Sequence, residues 1–525
     1  MARVGVDFGT TNTVVVCSDR GRYPVVPHGV DTAIGRVVRD VFPSLLAYEH
    51  GTGRFLYGPD AERCLARPGA ERRYGVLRSI KRDLRRYVGG GRIGHAVHPG
   101  GFDTAAVLTG FAIALRESVR HSGLFDAAEP LQAVITWPAN ANGAQRYITR
   151  QCFNDAGFEV IGSLNEPTAA AIEFADRLVR GNRTAARKLS ATVVVFDFGG
   201  GTFDCSLVSI AGGVFTVIDA AGVEELGGDD LDRVLAQMFA EQLGLDLATV
   251  PHVQAEQLLR HACQQKESIA SGAVRSLVLV PSDVGLHGST CTVPVPAYFE
   301  RVRPAIAPAI ETLERLVRGG AARAAGVEPD RLDAIYLVGG SSKLPLVAEM
   351  IAARFPTVRS VMSDKPFTAT AMGAAIHSAE KVTLHDILSR HFGVLRLADH
   401  GEREVFAPIF AAGTRLPPPG GPPLVRAVEY SPRHNIGHLR YYECAGVDAQ
   451  GQPGAGARRW SDVLFPYDPA IPIDGALQPA AITRRADLAG ERIRETYACD
   501  SDGVITVRVR RERDGQSRCY EIFRS

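Results

Sequence analysis

A chain of 525 residues exceeds one ordinary domain and predicts about two to four. Its 59 basic and 58 acidic side chains leave a net charge of +1, so charge makes no case for nucleic acid or a membrane surface as a partner. Nine scattered cysteines, an odd count with no C-x-x-C pair, argue against a disulfide framework and a zinc site and predict buried, reduced thiols.

Residues 1–60 alternate short apolar strands (VGVDF, TVVVC, YPVVP, SLLAY) with Gly and Pro turns. The start, MARVGVDFGTT, enters this pattern without a basic-then-apolar leader, and no run approaches the ~20 apolar residues of a membrane span; the expectation is a cytoplasmic protein. Residues 60–92 read as helical and basic, with Lys81 among Ile80, Leu84 and Tyr87 at helical spacing and the arginines on a solvated face. GGGRIG at 89–94 fits G-x-G-x-x-G by letter, but it follows an Arg-rich helix rather than a strand and is no dinucleotide site. Residues 104–122 form an amphipathic helix, LQAVITW a strand ending at Pro138, and 145–157 a helix closed by Gly157. FEVIGSLNEP returns as strand and loop, and Pro167 suits the first turn of the next helix. Residues 182–189 are a polar connection.

Further on, GVFTVIDAAGVEELGG predicts a strand pair closed by its Gly-Gly turn. Two long helices follow, then the strands SLVLVP and TCTVPVP. The helix from Val295 should break near Pro304 and Pro308. AIYLVGG is a strand delivering Gly339 and Gly340 to a helix start, and ATAMGAAIHSA a close-packing small-residue helix. From Lys381 onward the chain turns to strands and loops, the latter at 417–423 and 451–457; residues 502–515 alternate sharply as a strand running into a turn.

The most informative stretch is VVVFDFGGGTFDCSLV at 193–208. A β-branched run ends in Asp197, and Gly199, Gly200 and Gly201 permit a turn whose N–H groups can cradle phosphate. Thr202 lies inside the turn and Asp204 beyond it; carboxylates beside a phosphate cradle usually serve a cation. A tight hairpin in a buried sheet would account for one such stretch. VGVDFGTTNTVVV at 4–16 repeats the plan with Asp7, Phe8, Gly9, Thr10, Thr11 and Asn12. Two matching hairpins suggest a duplicated fold, with a nucleotide bound between two lobes.

These hairpins resemble the phosphate motifs of the Hsp70 chaperones, in the actin, hexokinase and Hsp70 ATPase superfamily. LNEPTAAAIEF resembles that family's connecting motif, AIYLVGGSSKLPLV its adenosine motif, SIKRDLRRY its lysine segment and PSLLAY an early strand; AVITWPANANGAQR is a departed version of another. The resemblance spans about residues 1–380. It implies an α/β two-lobed, actin-like (ribonuclease H-like) ATPase domain over 1–380, with lobe I at 1–190 plus 366–380 and lobe II at 191–365. A linker at 381–390 and a smaller all-β, sandwich-like domain at 391–525 would follow. PIFAAGTRLP and DGVITVRV resemble parts of the family's substrate-binding sandwich, and a domain without a helical lid is the expectation.

The resemblance also implies ATP or ADP with magnesium, and potassium as a further cation. Asp7, Asp197 and Asp204 would face magnesium mainly through water. Gly9, Thr10, Thr11, Asn12, Gly199, Gly200, Gly201 and Thr202 would hold phosphates. Lys81, Glu166, Thr202 and Asp197 would be catalytic, and Gly339, Gly340, Ser341, Lys343 and Lys266 would hold the nucleoside. Lys343 replaces a stacking arginine and Phe367 a usual acid, so adenine binding is expected to be looser or altered. Pro138, Arg146 and Asp386 match coupling positions. The 139–144 turn lacks the family's aromatic pair. Two leucines missing from the linker are expected to weaken its docking by a few kcal/mol at ~25 cal/mol per Å². Gly162 replaces an arginine that contacts J-proteins.

The implied function is a chaperone whose slow ATP hydrolysis governs binding of unfolded or extended polypeptide, with J-proteins and nucleotide-exchange factors as cochaperones and neither nucleic acid nor membrane as partner. Two alternatives stand open. One is a nucleotide-sensing adaptor that binds a folded partner through its β domain. The other is a sugar or metabolite kinase, which the NEPTAAA and GGGTFD stretches oppose.

Overall fold

A five-stranded mixed sheet is built around the strand Ala2–Asp7, which pairs parallel with Leu131–Trp137 and antiparallel with Asn12–Ser18. The computed structural model describes residues 2–522 except 33–34, 68, 88–89, 127–128, 180–187, 380–381, 399–402, 449 and 455. Glu159–Asn165 and Phe42–Pro43 complete the sheet at its two edges. Val4 and Val6 are fully buried, as is expected where parallel pairing leaves both faces covered.

A six-stranded sheet repeats the plan. Its strand Ser190–Phe198 pairs antiparallel with Phe203–Ala211 and parallel with Ala334–Val338. The sequence duplication is thus a duplication of topology: strand, tight turn, antiparallel return, then a parallel neighbour on the other side. Outward from the hairpin come Val214–Val223 and finally Thr383–His385, which pairs parallel with residues 214–216. The helix Ala369–Ala379, rich in small residues, packs against both Ala2–Asp7 and the helix Glu166–Val179.

The C-terminal region is all β. One four-stranded antiparallel sheet orders Arg403–Phe410, His391–Ala398, Ile436–Cys444 and Arg458–Pro466; the other orders Leu424–Tyr430, Ile493–Cys499, Ile505–Arg511 and Ser517–Glu521. Along Ile505–Arg511 the residues Ile505, Val507 and Val509 point inward and alternate with more exposed neighbours. They share a core with Phe392, Tyr441, Phe465 and Tyr497 of the other strands, the arrangement of two sheets packed face to face.

Several expectations are corrected. Val214–Val223 is one strand, not a strand pair; Gly227 instead precedes the helix Gly228–Gln242, and its N–H donates to Asp230 at 2.8 Å. Tyr74–Arg78 is a strand paired with Leu45–Glu49 inside the stretch read as helical, and Lys81 lies on the short helix Ile80–Asp83. Cys519 is exposed, on the outermost strand Ser517–Glu521. Most of the 182–189 connection, Gly89 and the expected 380/381 boundary lie outside the described residues. Among the described residues no helix is long and apolar enough to cross a membrane.

The helix Val295–Arg318 runs unbroken through Pro304 and Pro308. Both prolines are exposed, as are Glu300 and Pro304, whose carbonyls lose their partners and can bond water instead. The opposite face buries Tyr298, Val302, Ile306, Leu313 and Val317, which holds the helix together. Pro308→Ala is therefore expected to stabilise the chain by about 1–3 kcal/mol, read as a higher urea midpoint. An unchanged or lower midpoint would show that the helix has already relaxed around the ring.

Candidate functional site

Each hairpin ends a strand in an acid and then turns sharply. Asp7 is the last residue of Ala2–Asp7, and Asp197 is directly opposite Asp204 in the second hairpin, so those two carboxylates leave the sheet on the same face. The two turns meet. A Cβ on Gly200 would stand 2.1 Å from Thr11 Oγ1, and one on Gly201 2.5 Å from Thr10 Oγ1. Only glycine allows this approach, which gathers backbone N–H groups from both turns at one spot.

A cleft of about 320 Å³ opens there, a size that suits a small-molecule site. It is lined by Asp7, Gly9, Thr10, Thr11, Asn12, Lys81, Glu166, Asp197, Gly199, Gly200, Gly201, Thr202, Lys266, Gly339, Gly340, Ser341 and Lys343. Every residue read from sequence as catalytic or nucleotide-binding is on that wall. Asp204 lies beside it, in a small adjoining cavity shared with Thr202, Arg85, Pro138 and Glu224.

The charges are unbalanced. The buried Lys81 ammonium donates to the buried Glu166 carboxylate and faces Asp7 and Asp204 as well. Burial pushes the Lys81 ammonium down, but Glu166 and Asp7 outweigh it and hold the group above its ordinary value. Asp7 is pushed up to about 7, first by burial and then by Glu166; Lys81 and a 3.0 Å hydrogen bond from Thr136 oppose this. Burial, then Glu166, also brings Asp204 to about 7, and Asp197 is raised well above the carboxylate range by burial, Glu166 and Asp7. Four acids around one ammonium fit a cation. Among the described residues no three acid, His or Cys side chains converge closely enough to ligate a metal directly. The donor set therefore fits a cation that keeps its waters, as magnesium does.

At the end of the cleft expected to take the nucleoside, Ser341 Oγ donates to the Gly199 carbonyl at 2.8 Å and ties the two glycine turns together. Lys266 lines the cleft, but its ammonium is engaged by Asp232 at 2.8 Å and the Gly228 carbonyl at 2.9 Å. Lys343 lies over the Phe367 ring.

Sequence reasoning missed the clasp around Lys81. Ser79 Oγ donates to Asp229 at 2.8 Å, and Arg82 bonds the Gly201 carbonyl at 2.9 Å and Asp230 at 2.7 Å. Ser79 has φ near 54°, a left-handed conformation that costs a non-glycine residue energy and is held by these contacts. Arg82 read as one more surface cation, and no local signal marks it.

Of the residues expected to couple, Pro138 lines the small cavity beside Asp204, whereas Arg146 and Asp386 stand against the C-terminal β region. Arg146 is buried, lies 5.7 Å from the Trp137 ring centre and donates to the Ala141 carbonyl at 3.1 Å and the Asp502 carbonyl at 3.1 Å. The Asp502 carboxylate accepts from Arg150 and Ser163. Asp386 accepts from Asn165 at 2.8 Å, and burial raises its carboxyl above the usual range. Glu443 accepts the Gly143 N–H at 3.1 Å, and the buried Arg390 reaches Glu224 at 3.3 Å. Asp502, Glu443, Asn165 and Arg390 were not legible; their partners are hundreds of positions away or on another element. In the segment expected to be a linker, Thr383–His385 pairs as a strand, with Val382 and Leu384 packed on the sheet's core.

A family model described as Hsp70 protein matches residues 123–398. Similar curated proteins include the chaperone protein HscA homolog of Pseudomonas putida, 31% identical over 393 residues, or 71% of this chain and 57% of that protein. The chaperone protein DnaK of Thermotoga neapolitana is 30% identical over 433 residues, 79% of this chain and 66% of that protein. The chain thus spans between about half and two thirds of the length of these relatives.

The raised acids carry a sign. The folded chain without metal holds a proton on Asp204 between about pH 4 and 7 that the unfolded chain has lost, so stability falls as pH rises through that window. Asp204→Asn keeps the shape and removes the titration. It should stabilise the metal-free chain by a few kcal/mol more at about pH 8 than at about pH 4, measured by urea unfolding. An equal effect at both pH values would remove the burial of this charge as the cause.

Proposed function

The chain belongs to the Hsp70 family, and on that footing we propose that it binds ATP with magnesium, hydrolyses it slowly and uses the nucleotide state to alter how its β region holds unfolded or extended polypeptide. The two sheets would be the cores of two lobes, 1–190 with 366–380 and 191–365, joined through 381–390 to a client-binding sandwich at 391–525. Partners of the kind this family uses, J-proteins and nucleotide-exchange factors, belong to the same reading.

In this reading the N–H groups of the two turns, with the Thr10, Thr11 and Thr202 hydroxyls, bind the β- and γ-phosphates. Asp7, Asp197 and Asp204 hold the water shell of magnesium, which when bound supplies positive charge against the phosphates. Lys81, kept charged by its acids, stabilises the γ-phosphate and positions the attacking water, and Glu166 holds the ammonium in place. Phosphoryl transfer needs chiefly positioning and charge, so no strong base is required.

One observation carries the coupling. Glu166, on Lys81, and Asn165, on Asp386 of the linker, are consecutive residues. A shift of the helix Glu166–Val179 when the γ-phosphate is lost would therefore be felt at the linker strand. That strand is also the edge of the sheet whose hairpin carries Asp197 and Asp204.

Lys81→Ala and Thr202→Ala are each expected to lower ATP turnover about 10²-fold or more while ADP affinity changes only a few-fold. Unchanged turnover in both would sink the site assignment. For coupling, the off-rate of a fluorescent unfolded peptide from the full chain should be faster with ATP and magnesium than with ADP. Asp502→Ala should abolish that difference. Peptide release that ignores nucleotide in the unsubstituted chain, or hydrolysis without peptide binding, would turn the assignment to the adaptor.

A further inference from the structure

Phe367 is the one exposed phenylalanine among the described residues, at 42%, and it lines the cleft. A large apolar ring in a cleft wall, left in contact with water, is a surface that a flat apolar partner would cover favourably. The ring is also fixed in position. The Gly339 N–H donates to the Pro366 carbonyl at 3.0 Å, and the N–H groups of Thr368 and Ala369 bond the Lys365 carbonyl at 2.9 and 3.0 Å. The backbone is thus pinned on both sides of Phe367. The ring lies so close to the neighbouring turn that a Cβ on Gly340 would stand 2.6 Å from it. Lys343 places its ammonium 4.7 Å from the ring centre, within cation–π range.

The position of this ring relative to the phosphate turns defines its partner. Ser341, two residues before Lys343, bonds the Gly199 carbonyl, so the Phe367 wall and the glycine turn are parts of one rigid surface. A ligand with phosphates on that turn and a planar heteroaromatic group at its other end would lay that group along the wall of Lys343, Pro366 and Phe367, facing Glu267 and Cys263 of the helix His252–Ser268 in the same cleft. We propose that Phe367, with Lys343 laid over its ring, is the stacking platform for the nucleotide base. The inference rests on the nucleotide-binding reading above and assigns base affinity to an aromatic ring. Lys343 acts through that ring: its ammonium is held on the ring's π-system, and it is a positioning residue.

The test is calorimetric binding of ADP and of inorganic pyrophosphate, each with magnesium, to the full chain. Phe367→Leu keeps an apolar side chain and removes the ring; it should weaken ADP at least about fivefold, with Phe367→Ala weaker still. Phe367→Trp should restore or tighten ADP. Pyrophosphate, which has no base, should bind all four proteins equally. Equal ADP affinity in the unsubstituted, Leu and Ala chains would overturn the platform and leave the nucleotide site standing. Pyrophosphate weakened in step with ADP would also overturn it, because the ring would then be acting on the phosphate end. Absence of ADP binding to the unsubstituted chain would overturn the nucleotide reading itself, and the platform with it.

Discussion

One ammonium, that of Lys81, faces Glu166, Asp7, Asp197 and Asp204 in a buried place, and much of the molecule serves to keep it there. Such an excess of negative charge is unfavourable away from water, and part of it is relieved by protons that the acids hold to about pH 7. The arrangement persists because the acids sit at or beside strand ends in two separate sheets. Moving any one of them would break a hydrogen-bonded register. The same imbalance makes the site receptive to a hydrated divalent cation and, with it, to a polyphosphate that the acids alone would repel.

The clasp across this site links the two sheets. Arg82 reaches from the lysine segment to the Gly201 carbonyl and to Asp230, and Ser79 accepts a left-handed backbone to reach Asp229. Beyond it, separate contacts reach the β region. Thr202 and Asp204 share a small cavity with Pro138, Arg85 and Glu224; Glu224 meets Arg390; Arg146 and Asp502 join the two parts of the chain a few residues further on. The Arg146 and Arg390 guanidiniums in these contacts are buried and therefore costly to leave unpaired.

Where the chain departs from the family's sequence pattern, the structure supplies other means. The segment expected to be a linker has two leucines fewer than the pattern it resembles, but Thr383–His385 completes a sheet edge and Asp386 accepts from both Asn165 and the Ile387 N–H. The motif resembling the family's adenosine motif has Lys343 where an arginine is expected, but that lysine is laid over an aromatic ring. Both replacements are invisible to residue-by-residue matching, because each substitutes one kind of interaction for another.

The sequence by itself determined the two glycine-turn hairpins, the acids near their ends and the all-β character of the C-terminal region. These are local facts: a β-branched run, a glycine turn and an alternating strand each declare themselves within a dozen residues. Lys81 and Glu166 were singled out only through the resemblance of SIKRDLRRY and LNEPTAAAIEF to family motifs. Only the tertiary structure decided that the two turns touch, that Asn165 and Asp386 meet, and that Asp502 gathers Arg150 and Ser163. It decided as well that the helix Val295–Arg318 survives two prolines, because their open carbonyls face water while the other face is held in the core. In each case the outcome depends on what lies across the contact, in residues that chain order does not place nearby.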